Sequence, residues 1–153
     1  MRMTTSDTGL NFIERWEGCV LEVYCDVVGY DTIGIGHLIV DDDPDFSSGL
    51  TRGQAIDLLR DDVKHAEHMV KWYTMVDLNQ EQFDTLISWV FNLGGGNYQR
   101  STMLKVLNLG EYEMVPAQMR RWNRAGGVVV PGLVNRREAE AKLWATGDYG
   151  LTA

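Results

Sequence analysis

The stretch WEGCVLEVYCDVVGYDTIGIGH, residues 16–37, decides how the rest of the chain is arranged. A helical pattern ends at Gly18, a residue type that commonly closes helices. Two short runs of alternating side chains follow, at residues 20–24 and 32–36, and such alternation predicts β-strands. Residues 27–30 supply the turn between them. The stretch therefore predicts a helix end followed by a tight hairpin.

The stretch also carries chemistry, because a helix end beside a hairpin can bring Glu17, Asp26 and Thr32 to one cleft. Glycoside hydrolysis uses one carboxylic acid to protonate the leaving oxygen and one carboxylate to act on the incoming water. Glu17 is expected in the last helical turn, where the helix dipole disfavours a second negative charge and so helps the side chain keep its proton. A surface glutamate at a helix end is the ordinary alternative.

The remaining sequence predicts mostly helices. Residues 7–17 place apolar side chains on one face of a first helix. A capping box at residues 51–54 begins a connector helix, whose apolar spacing continues to about Tyr73. Further helices are predicted at 79–93, where the spacing is that of a core helix, and from Ser101 to Gly110, from Pro116 to Trp122 and from Asn135 to Gly147, with a loop at 125–132.

The fold class expected from these elements is α+β. A small N-terminal lobe with a short antiparallel sheet is joined by the long connector helix to a helical C-terminal lobe. We expect residues 1–153 to form one domain, with lobes at about 13–60 and 61–153 and with the N-terminal helix near the C-terminal lobe.

One further motif, TIGIGH at 32–37, lies within the first stretch, and four more follow it along the chain: NQEQFD at 79–84, FNLG at 91–94, RWNRAGG at 121–127 and PGLVNRREAE at 131–140. With Glu17, Asp26 and Thr32 they resemble the phage T4-type lysozymes, which are the endolysins of glycoside hydrolase family 24, and among these the lambdoid branch. The resemblance covers the chain from about residue 9 to residue 149 and implies a lysozyme-like fold.

The resemblance implies a muramidase, an enzyme that hydrolyses the β-1,4 bond between N-acetylmuramic acid and N-acetylglucosamine in peptidoglycan with inversion, for host cell lysis. It assigns Glu17 as the general acid and Asp26, with Thr32, to activation of the water. Arg136 matches the family's arginine that pairs with the catalytic glutamate. Since a cation favours the ionised acid, this pairing opposes the helix-dipole effect, and we interpret Arg136 as an orienting partner.

Four further residues match positions of the family's substrate cleft: Leu38, Phe91, Asn92 and Thr102. Leu38 directly follows TIGIGH. Phe91 and Asn92 end the predicted core helix, where backbone and amide groups could hold N-acetyl groups, although a phenylalanine there also suits the core. The segment before Thr102 differs in length from the family pattern. Trp122 could either stack on a sugar or anchor the helical lobe.

We also expect a buried ion pair between His37 and Asp62. Asp62 falls on the apolar stripe of the connector helix after Leu58 and Leu59, and a buried charge needs a partner. His37 ends the strand that this helix should cover, and the family resemblance supports the same pair. The pair would lower the pKa of Asp62 and raise the pKa of His37. Alternatively, Asp62 lies at the edge of the stripe beside solvated Asp61.

The two cysteines, Cys19 and Cys25, are predicted to be free thiols. They lie six residues apart in one extended segment, which would separate their Cα atoms by roughly 20 Å, too far for a disulfide. A catalytic thiol at Cys25 is the alternative, but no histidine is near it in the sequence to activate it.

The net charge of −8 is unevenly distributed along the chain. Residues 1–99 hold 6 basic and 17 acidic side chains, a net of −11, whereas residues 100–142 hold 8 basic and 4 acidic side chains, a net of +4. The family is more often basic, and this chain departs from that pattern. We interpret its acidic part as a solvated surface. The aspartates at 41–45 lack the spacing of a calcium-binding EF-hand, and we expect no metal or other cofactor.

The sequence contains no run of about 18 apolar residues, so no membrane span is predicted, and its first residues lack the apolar segment of a signal peptide. The resemblance implies that the protein stays in the host cytoplasm until a holin releases it to act on the cell wall. A monomer is expected, with peptidoglycan as its partner. The sequence contains no glycine-rich phosphate loop that would indicate nucleotide binding and no basic stripe that would indicate nucleic-acid binding.

Two other functions fit parts of this pattern. A lytic transglycosylase or chitinase would cleave a similar polymer, but a transglycosylase needs only one catalytic carboxylate, and this chain offers Asp26 with Thr32 as well. A wall-binding module without activity would not need Glu17, Asp26 and Thr32 together. Identification of reducing or anhydro ends on digested peptidoglycan separates these possibilities.

Overall fold

A three-stranded antiparallel sheet precedes a group of helices in the computed structural model, which describes residues 1–151. This arrangement confirms the predicted α+β class. The elements are α1 (Asp7–Glu17), β1 (Val20–Cys25), β2 (Asp31–Gly34), β3 (His37–Leu38), α2 (Arg52–Asp62), α3 (Lys64–Tyr73), α4 (Gln80–Leu93), α5 (Gly95–Arg100), α6 (Thr102–Asn108), a 3₁₀ turn (Tyr112–Met114), α7 (Val115–Arg120), β4 (Arg124–Ala125), β5 (Val128–Val129) and α8 (Pro131–Thr146).

Helix α1 has the bounds that the sequence predicts, and it is fixed at its N-terminus. The Ser6 hydroxyl accepts a hydrogen bond from the Gly9 N–H, a common N-cap. The buried Asp84 carboxylate of α4 accepts from the Ser6 N–H at 3.1 Å. A Cβ at Gly9 would lie 2.5 Å from Asp84 Cγ, so only glycine allows this approach. Helix α1 is thereby fixed on α4, and Glu17 is carried at its far end.

The sheet has the order β1-β2-β3, with both neighbouring pairs antiparallel. The first two strands form the predicted hairpin. Thr32 on β2 pairs with Tyr24 on β1 and with Leu38 on β3. Thr32 is buried, whereas Leu38 is exposed. The sheet therefore places Thr32 at its centre, one strand away from the segment that carries Asp26.

The predicted single connector helix is wrong, because the chain forms two helices, α2 and α3, separated at Val63. The Val63 backbone has φ −77° and ψ −9°, which departs from helical values. Its side chain is 1% exposed. Helix α2 packs on β2 and β3, whereas α3 packs on α4 and α5. The break therefore lets the two halves cover different surfaces while Val63 enters the core.

Helix α4 is the centre of the helical part, as its apolar spacing predicts. Every residue from Phe83 to Val90 is buried, and α4 contacts α1, α3, α5 and α8. The sequence predicts no helix between residue 93 and Ser101, but residues 95–100 form α5. A Cβ at Gly95 would lie 2.5 Å from Met69 Cε. Glycine therefore allows α5 to pack against α3, which outweighs its low helix propensity.

The C-terminal elements differ from the prediction in three places. Helix α7 ends at Arg120 rather than at Trp122. The loop expected at 125–132 contains the β4–β5 hairpin, whose turn residues Gly126 and Gly127 have φ of 58° and 80°, values typical of tight hairpin turns. Helix α8 begins at Pro131 rather than at Asn135, since proline is well suited to the first helical position.

The expected lobes at 13–60 and 61–153 stay a prediction, and residues 152–153 lie outside the described part of the chain. Helix α1 contacts both α2 and α4. None of the helices within residues 1–151 is long and apolar enough to cross a membrane. Below, the sheet region means residues 20–50, and the helical region means residues 80–146.

Candidate active site

Glu17 ends α1 between the helical region and the sheet region. Arg136 on α8 donates a hydrogen bond from Nη1 to Glu17 Oε1 at 2.6 Å. On the other side, a Cβ at Gly36 would lie 3.5 Å from Glu17 Oε2, so the turn between β2 and β3 approaches this oxygen closely. The Glu17 side chain is 23% exposed. One carboxylate oxygen is thus held by Arg136, and the other lies beside the turn between β2 and β3.

Asp26 follows β1 directly, and its carboxylate organises the turn. Its Oδ1 accepts hydrogen bonds from the N–H groups of Val28 at 2.9 Å and Tyr30 at 2.8 Å, and its own N–H donates to the Tyr30 carbonyl at 2.8 Å. Within residues 1–151, Oδ2 takes part in no hydrogen bond. Asp26 therefore has one anchored oxygen and one oxygen available to a water molecule.

Thr32 is linked to Asp26 through the backbone of Tyr30. The Thr32 hydroxyl donates to the Tyr30 carbonyl at 3.1 Å, the same carbonyl that accepts from the Asp26 N–H. Thr32 is 5% exposed. The structure thus joins the two predicted hairpin residues in one hydrogen-bonded turn, and the sequence analysis did not anticipate the part played by Tyr30.

The four predicted substrate residues lie in three different places. Asn92 is near the end of α4, and its Oδ1 accepts from Arg137 Nη2 at 2.9 Å. Phe91 beside it is partly buried and packs against the core. Leu38 lies exposed on β3. Thr102 lines a separate cavity of about 320 Å³ together with Trp122, two arginines and two polar residues: Arg100, Arg121, Ser101 and Gln118.

A buried ionic cluster behind Glu17 contains three residues that the sequence analysis missed: Ser88, Arg137 and Glu140. With Arg136 they form contiguous contacts between α4 and α8. The signal in the sequence was the NRREAE segment at 135–140, where two arginines precede a glutamate by three and four residues. That spacing puts the charges on one face of a helix, but it does not tell whether the face is buried.

The predicted contact between His37 and Asp62 is present, and a second carboxylate joins it. His37 Nδ1 lies 2.7 Å from Asp62 Oδ2, and Nε2 lies 2.8 Å from Asp43 Oδ2. Asp43 also accepts from the Val40 N–H at 2.8 Å. The protonated imidazole can donate to both carboxylates, and it thereby ties the loop after β3 to α2.

The expected pKa directions in this cluster are only partly right. Burial by itself would lower the pKa of His37, but the hydrogen bonds to Asp43 and Asp62 outweigh it and raise the pKa. The pKa of Asp62 is raised rather than lowered, because burial exceeds the opposing effect of His37. The pKa of Asp43 is lowered, first by the Val40 N–H. Asp43 is therefore the carboxylate whose ionised form is favoured.

Both cysteines are free thiols, as predicted. Cys19 is half-buried and Cys25 is exposed. Burial and the nearby Glu14 carboxylate raise the pKa of Cys19, while Arg52 opposes them. A raised thiol pKa disfavours the reactive thiolate, so Cys19 does not resemble a nucleophile.

Comparison with known proteins supports the resemblance seen in the sequence. The phage lysozyme family matches residues 14–140. The chain is 40% identical to an endolysin of Bacillus phage PZA over 95% of its own length and 56% of that protein, so it spans little more than half of this relative. It is 35% identical to the endolysin of Salmonella phage P22, covering 81% of this chain and 86% of that one.

A solved structure gives the same result for the fold. The endolysin from Escherichia coli O157:H7 phage FAHEc1 superposes with a TM-score of 0.89 at 34% identity, covering 97% of this chain and 98% of that chain. The match therefore extends over the sheet region, the helical region and the residues between them. The chain belongs to the phage lysozyme family.

Proposed function

We propose that this protein is an endolysin-type lysozyme that hydrolyses the β-1,4 bond between N-acetylmuramic acid and N-acetylglucosamine in peptidoglycan, for host cell lysis. The observation that carries the proposal is the position of Glu17. It ends α1 beside Gly36, in the turn that follows the strand of Thr32, contacts Arg136 at 2.6 Å and stays partly open to solvent. The family membership supports the same activity.

In this proposal Glu17 is the general acid. Arg136 occupies Oε1, so the proton to be donated is carried by Oε2, on the side of Gly36. From there it passes to the oxygen of the glycosidic bond as that bond breaks. The role of Arg136 is to orient the carboxyl group of Glu17, because the N–H donors of a planar guanidinium point in fixed directions.

Asp26 acts on the water in this proposal, and Thr32 assists it. The anchored Oδ1 of Asp26 fixes the carboxylate, while Oδ2 accepts a proton from the water. The Thr32 hydroxyl donates to Tyr30 and can accept a second hydrogen bond from the same water. Water that attacks from the face opposite to the leaving group gives inversion at the anomeric carbon.

The substrate residues Leu38, Phe91, Asn92 and Thr102 are proposed to line the path of the glycan. The Asn92 carbonyl oxygen is already bonded to Arg137, so its NH₂ group remains for an N-acetyl carbonyl. The exposed Leu38 offers an apolar edge. Thr102 would contact the polymer where the cavity with Trp122 opens.

The test of the reaction is digestion of purified peptidoglycan, with the fragments identified by mass. Hydrolysis leaves reducing muramic ends, whereas a lytic transglycosylase leaves anhydro ends. Glu17→Gln should remove activity by a factor of at least about 10²–10⁴, and Asp26→Asn should reduce it severely. Glu22→Gln, an exposed glutamate on β1, is the matched control and should stay active. A Glu17→Gln protein with wild-type turnover would rule out the assignment.

We also propose that the protein acts as a monomer and that it remains in the host cytoplasm until a holin-type pore opens. This part of the proposal rests on the sequence resemblance. Expressed alone in a Gram-negative cytoplasm, the protein should accumulate without lysis, and permeabilising the inner membrane should then cause lysis. Prompt lysis of intact cells would contradict it.

A further inference from the structure

Glu140 is a fully buried carboxylate that the proposed reaction does not use. It is 0% exposed and lies on α8, four residues after Arg136 and three residues after Arg137. A buried charge is costly unless it is paired and hydrogen-bonded. The contacts of Glu140 therefore indicate what it does for its neighbours.

Both oxygens of Glu140 are engaged by cations. Its Oε2 accepts hydrogen bonds from Ser88 Oγ at 2.6 Å, Arg136 Nε at 3.3 Å and Arg137 Nη2 at 3.2 Å. Its Oε1 lies 2.7 Å from Arg137 Nε, a close ionic contact whose geometry is not that of a hydrogen bond. One carboxylate thus fixes two guanidinium groups at once.

Each of these arginines also contacts a residue of the candidate site, Arg136 with a separate nitrogen and Arg137 with the Nη2 that also donates to Glu140. Arg136 Nη1 donates to Glu17. Arg137 Nη2 donates to Asn92 at 2.9 Å. Since a guanidinium is planar and rigid, fixing its Nε side also fixes the direction of its Nη groups. Arg136 therefore connects Glu140 to the proposed general acid Glu17, and Arg137 connects it to the proposed substrate residue Asn92.

With Glu17 ionised, the charges of this cluster balance. Glu17 and Glu140 supply two carboxylates, and Arg136 and Arg137 supply two cations, while Ser88 and Asn92 on α4 are neutral. Burial lowers the pKa of Arg137, and the Glu140 charge is the largest effect opposing it. Without Glu140, both cations would act on Glu17 alone and favour its charged form.

We propose that Glu140 is a positioning residue, which aims Arg136 and Arg137 at the site and offsets their charge so that Glu17 keeps a proton to donate. The proposal rests on the proposed role of Glu17 as general acid. Glu140 itself need not touch the substrate.

The test is the pH profile of kcat/KM for peptidoglycan hydrolysis. Glu140→Gln keeps the shape but removes the charge, and we expect the alkaline limb to move to lower pH by about one unit, the size that a nearby charge commonly produces. Arg137→Gln leaves an excess of negative charge and should move the limb to higher pH. Glu138→Gln is the matched control, because this exposed residue of α8 pairs with Arg120; its profile should match wild type.

The double variant Glu140→Gln/Arg137→Gln separates charge from packing. It restores the charge balance, so its alkaline limb should return to the wild-type pH even though its melting temperature stays lower. A purely structural role predicts lower stability and unchanged profiles in every variant, and that result overturns the proposal. If Glu140→Gln does not fold, the upward shift in Arg137→Gln decides the matter. An inactive wild type, or an active Glu17→Gln protein, would instead refute the proposed function.

Discussion

The molecule contains two ionic clusters that do similar work with different chemistry. In the sheet region His37 joins Asp43 and Asp62, whose side chains are 15% and 25% exposed. In the helical region Glu140 joins Arg136 and Arg137, all of which are nearly inaccessible to solvent. Both clusters connect distant segments of the chain. The first depends on a side chain that titrates near neutral pH, whereas arginine stays charged throughout the working range.

The difference shows where the fold tolerates a change of charge. Within residues 1–151, His37, Asp43 and Asp62 make no hydrogen bond to Glu17, Asp26 or Thr32, so we expect loss of the His37 charge to lower stability more than activity. The arginine cluster contacts Glu17 and Asn92 directly, so a titrating group there would alter the site with every change of pH. Because arginine keeps its charge over the working pH range, we expect Arg136 and Arg137 to remain cations at every pH where the protein is active.

The largest effect is expected from Arg136→Met. It removes the cation that Glu17 and Glu140 share and leaves Glu140 with Arg137 alone, and breaking a buried ion pair costs about 3–5 kcal/mol. Activity should also fall on the order of 100-fold, because Glu17 loses its orientation. Arg120→Met is the matched control, since its pair with Glu138 is exposed, and it should cost less than about 1 kcal/mol. Chemical denaturation measures the loss of stability, and a wall-clearing assay measures the loss of activity. Equal losses in Arg136→Met and Arg120→Met would contradict the expected difference between the buried and the exposed ion pair.

A smaller effect is expected from Asp62→Asn, because its cluster is partly solvated. Removing one partner of a charged hydrogen bond costs about 1.5–3 kcal/mol. Activity should survive wherever the protein is folded. A double-mutant cycle with His37→Asn, followed by thermal melts at mildly acidic pH, measures the coupling. Additive losses would mean that the contact contributes nothing.

The pH dependence of stability should separate the clusters further. His37, with its raised pKa, contributes stability that is present below pH 6.5 and is lost as the pH rises through its folded value. Asp43, with its lowered pKa, contributes above pH 3.8 and loses that contribution as the pH falls through its folded value. Asp62 acts in the opposite sense to Asp43, because its pKa is raised. The cluster should therefore stabilise most in the mildly acidic window.

Melting temperatures between about pH 5 and pH 9 test this window. The melting temperature of the wild type should fall as the pH rises toward alkaline values. The His37→Asn variant should lack the part of this fall that comes from His37. Asp43→Asn should weaken the slope by a smaller amount, since Asp62 still contacts His37. A slope that is the same in wild type and His37→Asn would show that another group controls it.

The smallest effect is expected from salt. Residues 1–99 carry −11 and residues 100–142 carry +4, so repulsion from an anionic wall and attraction to it partly cancel. At about 0.15 M salt these fields extend only roughly 8 Å. Activity on peptidoglycan should rise, or fall only a little, from low to moderate salt. A steep monotonic loss on peptidoglycan would contradict this.

The predicted and the observed structure differ where contacts between residues distant in the sequence decide the local conformation. Nothing local marks Val63 as a break, because neither glycine nor proline is present there, and only the packing of α2 and α3 on different surfaces requires it. Glycine at position 95 argues locally against a helix, yet it permits the approach of Met69. Asp43 looked like part of a solvated acidic loop, and only the fold brings it to His37.

The sequence by itself determined the elements whose signals lie within a few residues. Helix α1, the β1–β2 hairpin and the core helix α4 follow from caps, alternation and helical spacing, because these act through neighbouring residues. Tertiary structure alone decided that Glu140 and Arg137 are buried and that Arg137 reaches Asn92. Charges three and four residues apart look alike on an exposed and a buried helix face, and only packing against α4 removes this face from water.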